Sequence, residues 1–357
     1  MKKIYFTPGP SALYFTVEEH LKKALNQQVP SISHRSSDFK KIYAEVSENL
    51  KTLLNLPDNY QFGFTASATE VWDRQIENLV NKHSYHVVNG AFSSKSYKMA
   101  KAMNKSAIEY KVEDGQGADL SSLNIPDETE LICLAHNETS TGVATPLQDI
   151  YALKKRNTNK LVSVDAVSSL PVVDLDFSQV DSVFCSVQKA FGLPAGLGIW
   201  FFNDACLAKA AQVKANGNTH ESYHTIQSLS EYHLKNQTPS TPNVLSIYLL
   251  GEVVKDMLNK GMDMIRRESK QKAALIYHLY ETNERFTPFV KNKSIRSETV
   301  GVAETENVEA IIEQLSQKGL LIGDGYGKHR PNHIRIANFP THSKEQIELL
   351  VDTINGL

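Results

Sequence analysis

Leu161-Val162-Ser163-Val164-Asp165 and Val183-Phe184-Cys185-Ser186-Val187-Gln188-Lys189 decide how this chain folds. The first is an apolar run that stops at a carboxylate, and the second opens on the apolar strand Val183–Cys185 and reaches Lys189 just after it, as strands buried on both faces do where they give way to loops at their carboxyl ends. Working outward, similar runs stand at Gln61–Phe64, Tyr85–Val88, Ala107–Tyr110, Leu131–Leu134 and Gly198–Phe202. Helical patterns at Thr69–Val80, Ser94–Met103 and Leu147–Lys155 fall between several of them. This alternation predicts an α/β fold with a mostly parallel sheet flanked by helices.

Two helices are expected ahead of the first strand. Thr16-Val17-Glu18-Glu19 has the form of a capping box, and Phe39, Ile42, Tyr43, Val46, Leu50 and Leu53 recur at helical spacing behind a Ser36-Ser37 cap. After Pro242 the pattern turns to one long helix, Val244 to about Tyr280, expected to bridge two domains. The remainder reads as strand, helix, strand, helix, with helices Val308–Ser316 and Lys344–Ile354. The expected division is a large domain over 13–257 and a small α+β domain over 258–357, with residues 1–12 packing on the latter.

The chain has 357 residues, 41% of them hydrophobic, which is enough for a sizeable core. Its formal charge is -2, with no block of like charges, so neither nucleic acid nor a membrane surface is expected as its partner. Pro8-Gly9-Pro10 interrupts the apolar run that a signal peptide needs, and no segment is long and apolar enough to span a bilayer. Cys133, Cys185 and Cys206 are odd in number and contain no CxxC pair, so no metal centre is expected and a reducing cytoplasm fits best.

Ligands of open parallel sheets sit at the carboxyl ends of strands, and four such places carry reactive groups. Asp165 and Lys189 end successive strands; an acid and a lysine facing one pocket are what pyridoxal phosphate requires, a lysine to hold it as a Schiff base and an acid to keep its ring nitrogen protonated. A salt bridge with a surface lysine is the plainer alternative. Phe64-Thr65-Ala66-Ser67-Ala68-Thr69-Glu70 offers backbone N–H groups at a helix start, suited to a phosphate or simply a helix cap. His136-Asn137-Glu138-Thr139-Ser140-Thr141-Gly142 is a polar loop able to bond a ring hydroxyl, or an ordinary turn. Phe92, in Asn89-Gly90-Ala91-Phe92, offers a flat face or a core side chain. Gly192-Leu193-Pro194-Ala195-Gly196-Leu197-Gly198 precedes a strand, so it reads as a turn bringing backbone close to Lys189.

With these motifs in place, nearly the whole chain resembles the class V aminotransferases of fold type I, the group with phosphoserine and alanine–glyoxylate branches. The resemblance implies a seven-stranded sheet with a small C-terminal domain, Lys189 as Schiff-base lysine and proton carrier, and Asp165 as partner of the ring nitrogen. It implies Thr139 on the ring oxygen, Phe92 stacked on the ring, and Ser67, Ala68, Thr69 and Gln188 around the cofactor phosphate. Ser240 and Thr241, in Ser240-Thr241-Pro242-Asn243, would join that phosphate from a second subunit, so a homodimer with shared sites is implied.

Phe6-Thr7-Pro8-Gly9-Pro10, Ser33-His34-Arg35-Ser36, Lys328-His329-Arg330 and Arg335 resemble the phosphoserine branch. By that resemblance Arg335 binds the α-carboxylate, and His34 and Arg35 of the partner join His329 and Arg330 around a distal phosphate or carboxylate. The implied reaction passes an amino group between L-glutamate and 3-phosphohydroxypyruvate, in serine biosynthesis. Phe92, Val167 and Ser240 depart from that branch, where tryptophan, serine and asparagine stand, and Asp165–Leu170 and Thr139–Val143 look closer to the glyoxylate branch, so alanine or serine with glyoxylate or pyruvate is the alternative. A cysteine desulfurase-like lyase lacks its loop cysteine here, and a non-catalytic homologue would not keep Lys189, Asp165, Thr139 and Arg335 together.

Overall fold

The computed structural model describes residues 3–217 and 223–357. Its main sheet has seven strands in the order Tyr60–Thr65, Gly198–Asn203, Ser182–Ser186, Leu161–Asp165, Leu131–Ala135, His83–Val88 and Ser106–Lys111. Gly198–Asn203 runs antiparallel to both neighbours and every other ladder is parallel. Asp165 pairs with Ala135 on one side and Phe184 on the other. The loops that follow these three strands therefore leave from one edge of the sheet.

Alternation along the strands divides the core into two layers. Val162, Val164, Val183 and Phe201 face the helices Ser37–Leu54 and Val244–Lys260, packing with Phe39, Tyr43, Leu50 and Leu250. Leu161, Phe184, Trp200 and Phe202 face the other way, against Val71, Trp72 and Ile76 of the helix Ala68–Leu79. Full burial of each such side chain contributes about 1.5–3 kcal/mol.

A second sheet has the order Ile4–Phe6, Leu320–Asp324, His333–Ala337, Val300–Glu304 and Thr287–Pro288. The amino-terminal strand joins it in parallel, Ile4 opposite Leu320 and Phe6 opposite Ile322. Helices Met262–Thr282, Val308–Gln317 and Lys344–Asn355 supply Ile276, Leu315 and Leu350 to its core.

Three local expectations change. The expected helix from Val244 to Tyr280 is two helices, Val244–Lys260 and Met262–Thr282, because Gly261 takes φ +85° and its N–H turns back to the carbonyls of Met257 and Leu258. No capping box forms at Thr16: its backbone is already in the helical region, and its hydroxyl donates instead to Asp256 at 2.5 Å, a carboxylate that also takes His20 Nε2 at 2.7 Å. Between the last two helices lie two strands, Leu320–Asp324 and His333–Ala337, where one was expected. The Ser36 cap does form, its hydroxyl accepting from the Phe39 N–H at 3.2 Å. Among the described residues no helix is long and apolar enough to cross a membrane.

Candidate active site

Asp165 closes its strand with a carboxylate held by two donors, the Val167 N–H at 3.0 Å and Trp72 Nε1 at 3.4 Å. Neither donor is a cation. Burial, with a smaller contribution from the Glu138 charge, pushes its pKa up to about 6.

Lys189 is 7% exposed and its Nζ donates to the Pro8 carbonyl at 2.6 Å. Burial first and the Arg335 charge second push this amine down to about 8, so an appreciable part of it is neutral near physiological pH. The backbone that comes close is that of Gly9, where any Cβ would stand 2.9 Å from Nζ. Among the glycines after Lys189, Gly192, at φ +66°, lies against Tyr14 and Thr341, and a Cβ on Gly198 would strike the Ser67 carbonyl carbon at 2.5 Å. The loop brings its own backbone to Lys189 as well, the Gly192 N–H donating to the Lys189 carbonyl at 2.9 Å, while the amino-terminal segment folds over the amine.

At the start of the Ala68–Leu79 helix, Ser67 Oγ accepts from the Glu70 N–H at 3.3 Å, while the Glu70 carboxylate takes the Ala66 N–H at 2.7 Å. Ala68 is buried and Thr69 exposed. Gln188 is fixed by a bond from Ser186 Oγ to its Oε1, 2.7 Å.

Phe92 is placed by a residue whose role composition does not announce. Helix Ala91–Ala102 begins at Gly90, which has no side chain to cap it. The fully buried Glu138 supplies the cap, accepting from the N–H groups of Phe92 (3.2 Å) and Ser93 (2.9 Å) and from the hydroxyls of Ser93 (2.9 Å) and Ser140 (2.6 Å). A Cβ at Gly90 would fall 2.4 Å from Glu138 Cγ, so this close approach requires glycine. The result sets the Phe92 ring 5.9 Å from Lys189 Nζ.

Arg335, 8% exposed on strand His333–Ala337, anchors its fork on two carbonyls, Nε to Asp324 at 2.7 Å and Nη1 to Thr139 at 3.3 Å. Thr139 is thereby tied across the two sheets. Tyr326 lies between Arg335 and Phe92, its ring 5.4 Å from the guanidinium carbon and 4.9 Å from the phenyl centroid, and Lys95 donates to its hydroxyl at 2.5 Å.

Contacts therefore join Phe92, Thr139, Lys189 and Arg335 into one group, with Asp165 acting on Lys189 through its charge. The other expected residues have partners elsewhere. Arg35 donates to the carbonyls of Thr238 (2.8 Å) and Pro239 (3.1 Å) and covers the Tyr232 ring at 4.7 Å, which puts it with Ser240 and the exposed Thr241. His34, half-buried, is the next residue along. His329 Nε2 and Lys328 Nζ both reach Asp114, at 2.8 and 2.9 Å, and the exposed Arg330 pairs with Asp324 at 2.5 Å. Trp72, Glu138, Tyr326 and Asp114 were not singled out from sequence. Of these only Glu138 carried a signal, an acid in the polar loop three residues after the strand end at Ala135 and close to Asn89-Gly90 in space alone. The three cysteines are buried and unpaired, with thiols pushed upward by burial, so none is an available nucleophile.

This geometry provides a partly neutral buried amine able to attack a carbonyl or move a proton, a buried carboxylate bonded to no cation, an aromatic face beside the amine and a guanidinium whose charge reaches that amine.

Among known proteins, a solved phosphoserine aminotransferase from Cytophaga hutchinsonii is 46% identical, covers 99% of this chain and 98% of its own, and superposes with a TM-score of 0.97. A phosphoserine aminotransferase from Corynebacterium glutamicum is 30% identical over 329 residues, 90% of this chain and 86% of its own. An alanine–glyoxylate aminotransferase from Nostoc, 19% identical with a TM-score of 0.86 over the whole chain and 95% of its own, shares the fold. The sequence pattern of the family Aminotransferase class-V matches residues 7–335, and the chain belongs to that family.

Proposed function

We propose that the chain is a phosphoserine aminotransferase that uses pyridoxal 5'-phosphate, passing an amino group between L-glutamate and 3-phosphohydroxypyruvate. The observation that carries this reading is the buried pair of Lys189 and Asp165, each shifted toward its uncharged form and neither neutralised by a counter-charge in hydrogen-bond contact. A carboxylate held by an indole and an amide lacks a cation, and a protonated pyridine nitrogen is one. The residues present fit the group.

Lys189 would hold the cofactor through Nζ, Asp165 would face its ring nitrogen, Phe92 its flat face and Thr139 its ring oxygen. Ser67, Ala68, Thr69 and Gln188 would hold its phosphate, joined by Ser240 and Thr241 of a second subunit in a homodimer. The cofactor, when bound, supplies a carbonyl for the amino group and a sink for the electrons released at the substrate's α-carbon.

The chain's own residues do the rest. Arg335 fixes the α-carboxylate of donor and acceptor in turn, and its anchoring on Asp324 and Thr139 means that little rotamer freedom is lost on binding. Lys189 Nζ, with a pKa of about 8, takes the α-proton from the amino donor and returns a proton in the reverse half reaction. The distal phosphate or carboxylate falls to His329 and Arg330, with His34 and Arg35 of the second subunit. Division into 13–257 and 258–357, with 1–12 on the latter, belongs to the same reading; the Pro8 carbonyl on Lys189 then couples the amino-terminal segment to the catalytic amine. The lack of a membrane-spanning helix among the described residues accords with a cytoplasmic enzyme.

The test is a panel of donors and acceptors, L-glutamate with 3-phosphohydroxypyruvate against L-alanine or L-serine with glyoxylate or pyruvate. The expected result is turnover with the first pair. Activity confined to glyoxylate or pyruvate would overturn the substrate assignment and leave the cofactor assignment standing.

A further inference from the structure

A cavity of about 560 Å³ lies apart from the Lys189 site, walled by the loop after strand Leu131–Ala135, residues 169–174, the Met262–Thr282 helix and residues 294–299. Neither Lys189, Asp165 nor Arg335 lines it. That volume is within the range of small-molecule sites.

Its walls have two characters. Ala144, Pro146, Leu147 and Val172 make an apolar side. Against them stand four cations, Arg266, Arg267, Lys270 and Arg296, and two acids, Asp174 and Glu298, which leaves a local charge of four minus two, or +2. Arg266 is engaged by Asp174 at 2.8 Å and Arg296 by Glu281 at 2.6 Å, while Arg267 and Lys270 are exposed. His136 also lines the wall, 9% exposed, with its Nδ1 enclosed by the protein and without a hydrogen bond among the described residues. Burial pushes this imidazole down to about 4, so it is neutral and has one N–H to donate.

We propose that this cavity is a second binding site, for a small organic carboxylate carrying an apolar group. The apolar group lies against Val172 and Leu147, and the carboxylate meets Lys270 and Arg267. Such an occupant touches the segment that feeds the catalytic strand ends. The backbone N–H of His136 donates to the Asp165 carbonyl at 2.9 Å, and the side chain of Asn137, also in the wall, donates to Ser168 Oγ at 2.7 Å and Thr299 Oγ1 at 3.3 Å.

The test is isothermal titration of the holoenzyme with 2-naphthoate, in the parent and in Lys270→Glu, Arg267→Glu, Ala144→Leu and Arg335→Ala. The expected result is saturable binding weakened about tenfold by either charge reversal and by the larger side chain at 144, and unchanged by Arg335→Ala. Both reversed residues are exposed, so folding is not at stake, and a thermal melt of each variant checks it. The proposal is overturned if no saturable binding is seen, or if binding survives Lys270→Glu and is lost in Arg335→Ala, which places the probe in the substrate pocket.

Discussion

Two groups of basic residues in this molecule are treated in opposite ways. Lys189 and Arg335 are buried and bonded to neutral carbonyls, of Pro8 and of Asp324 and Thr139. Lys328, His329 and Arg330, on the connection leading to the same strand as Arg335, each rest on a carboxylate, Asp114 or Asp324. A buried charge without a counter-charge lowers stability and persists where a bound group completes it. Basic groups already paired with carboxylates near the surface cost the fold little and give substrate something to displace. The first group is built to await ligand, the second to exchange partners.

The widest separation between the groups comes from Lys189→Ala. Removing the amine takes away both attachment and proton transfer, and turnover should fall about 10³-fold or more, measured as kcat in the glutamate half reaction. The melting temperature of the cofactor-free variant should not drop in step, because the deleted charge was unpaired. A comparable loss from Arg330→Ala would erase the distinction drawn here.

Arg335→Ala comes next. Its fork is fixed before substrate arrives, so kcat/KM should fall on the order of 10²-fold for glutamate and for the phosphorylated substrate alike. A loss limited to the phosphorylated partner would move Arg335 from the α-carboxylate to the distal group.

Asp165 tests the cost of a buried charge directly. Its folded pKa, about 6, is raised above the ordinary 3.8, so between these values the folded chain binds more protons than the unfolded one. Stability therefore falls as pH rises through this window, and the penalty is complete above about 6. In the cofactor-free protein Asp165→Asn should raise unfolding free energy by on the order of 1–2 kcal/mol at pH 7.5 and by little at pH 4, read from denaturant melts. A stabilisation that does not depend on pH would mean that the carboxylate is not strained by burial.

The same division explains what is legible in the sequence. Most of the seven strands can be read because they are apolar runs buried on both faces, while the edge strand Ser106–Lys111 is largely exposed and shows only through Ala107, Ile108 and Tyr110; Asp165 and Lys189 announce themselves by sitting at or just beyond strand ends. The capping role of Glu138 cannot be read so, since the helix it caps has its N-cap at Gly90, 48 residues earlier in the chain (138 minus 90), and the two meet only in the fold. Thr16 misleads for the converse reason: its local pattern is right, and Asp256, 240 residues away, wins its hydroxyl. The His329-Arg330 motif is visible as basic residues, while the acids that hold it, Asp114 and Asp324, come from a distant loop and from the neighbouring strand.

Asp114 is where the second group can be disturbed with the least damage to the first. Lys328, His329 and Asp114 form a three-member cluster, and the Asp114 carboxyl is held below the usual carboxylate range: burial opposes this, and the bonds from Lys328 and His329 outweigh it. A substrate phosphate would compete with this carboxylate for His329. In Asp114→Asn the histidine is released from its anion, so KM for the phosphorylated substrate should shift by a few-fold, on the order of the 1 kcal/mol such exposed pairs contribute, while KM for glutamate moves less. Equal shifts for both substrates would show that Asp114 only braces the loop, and would leave Arg330, bound to Asp324, as the residue through which the phosphate is recognised.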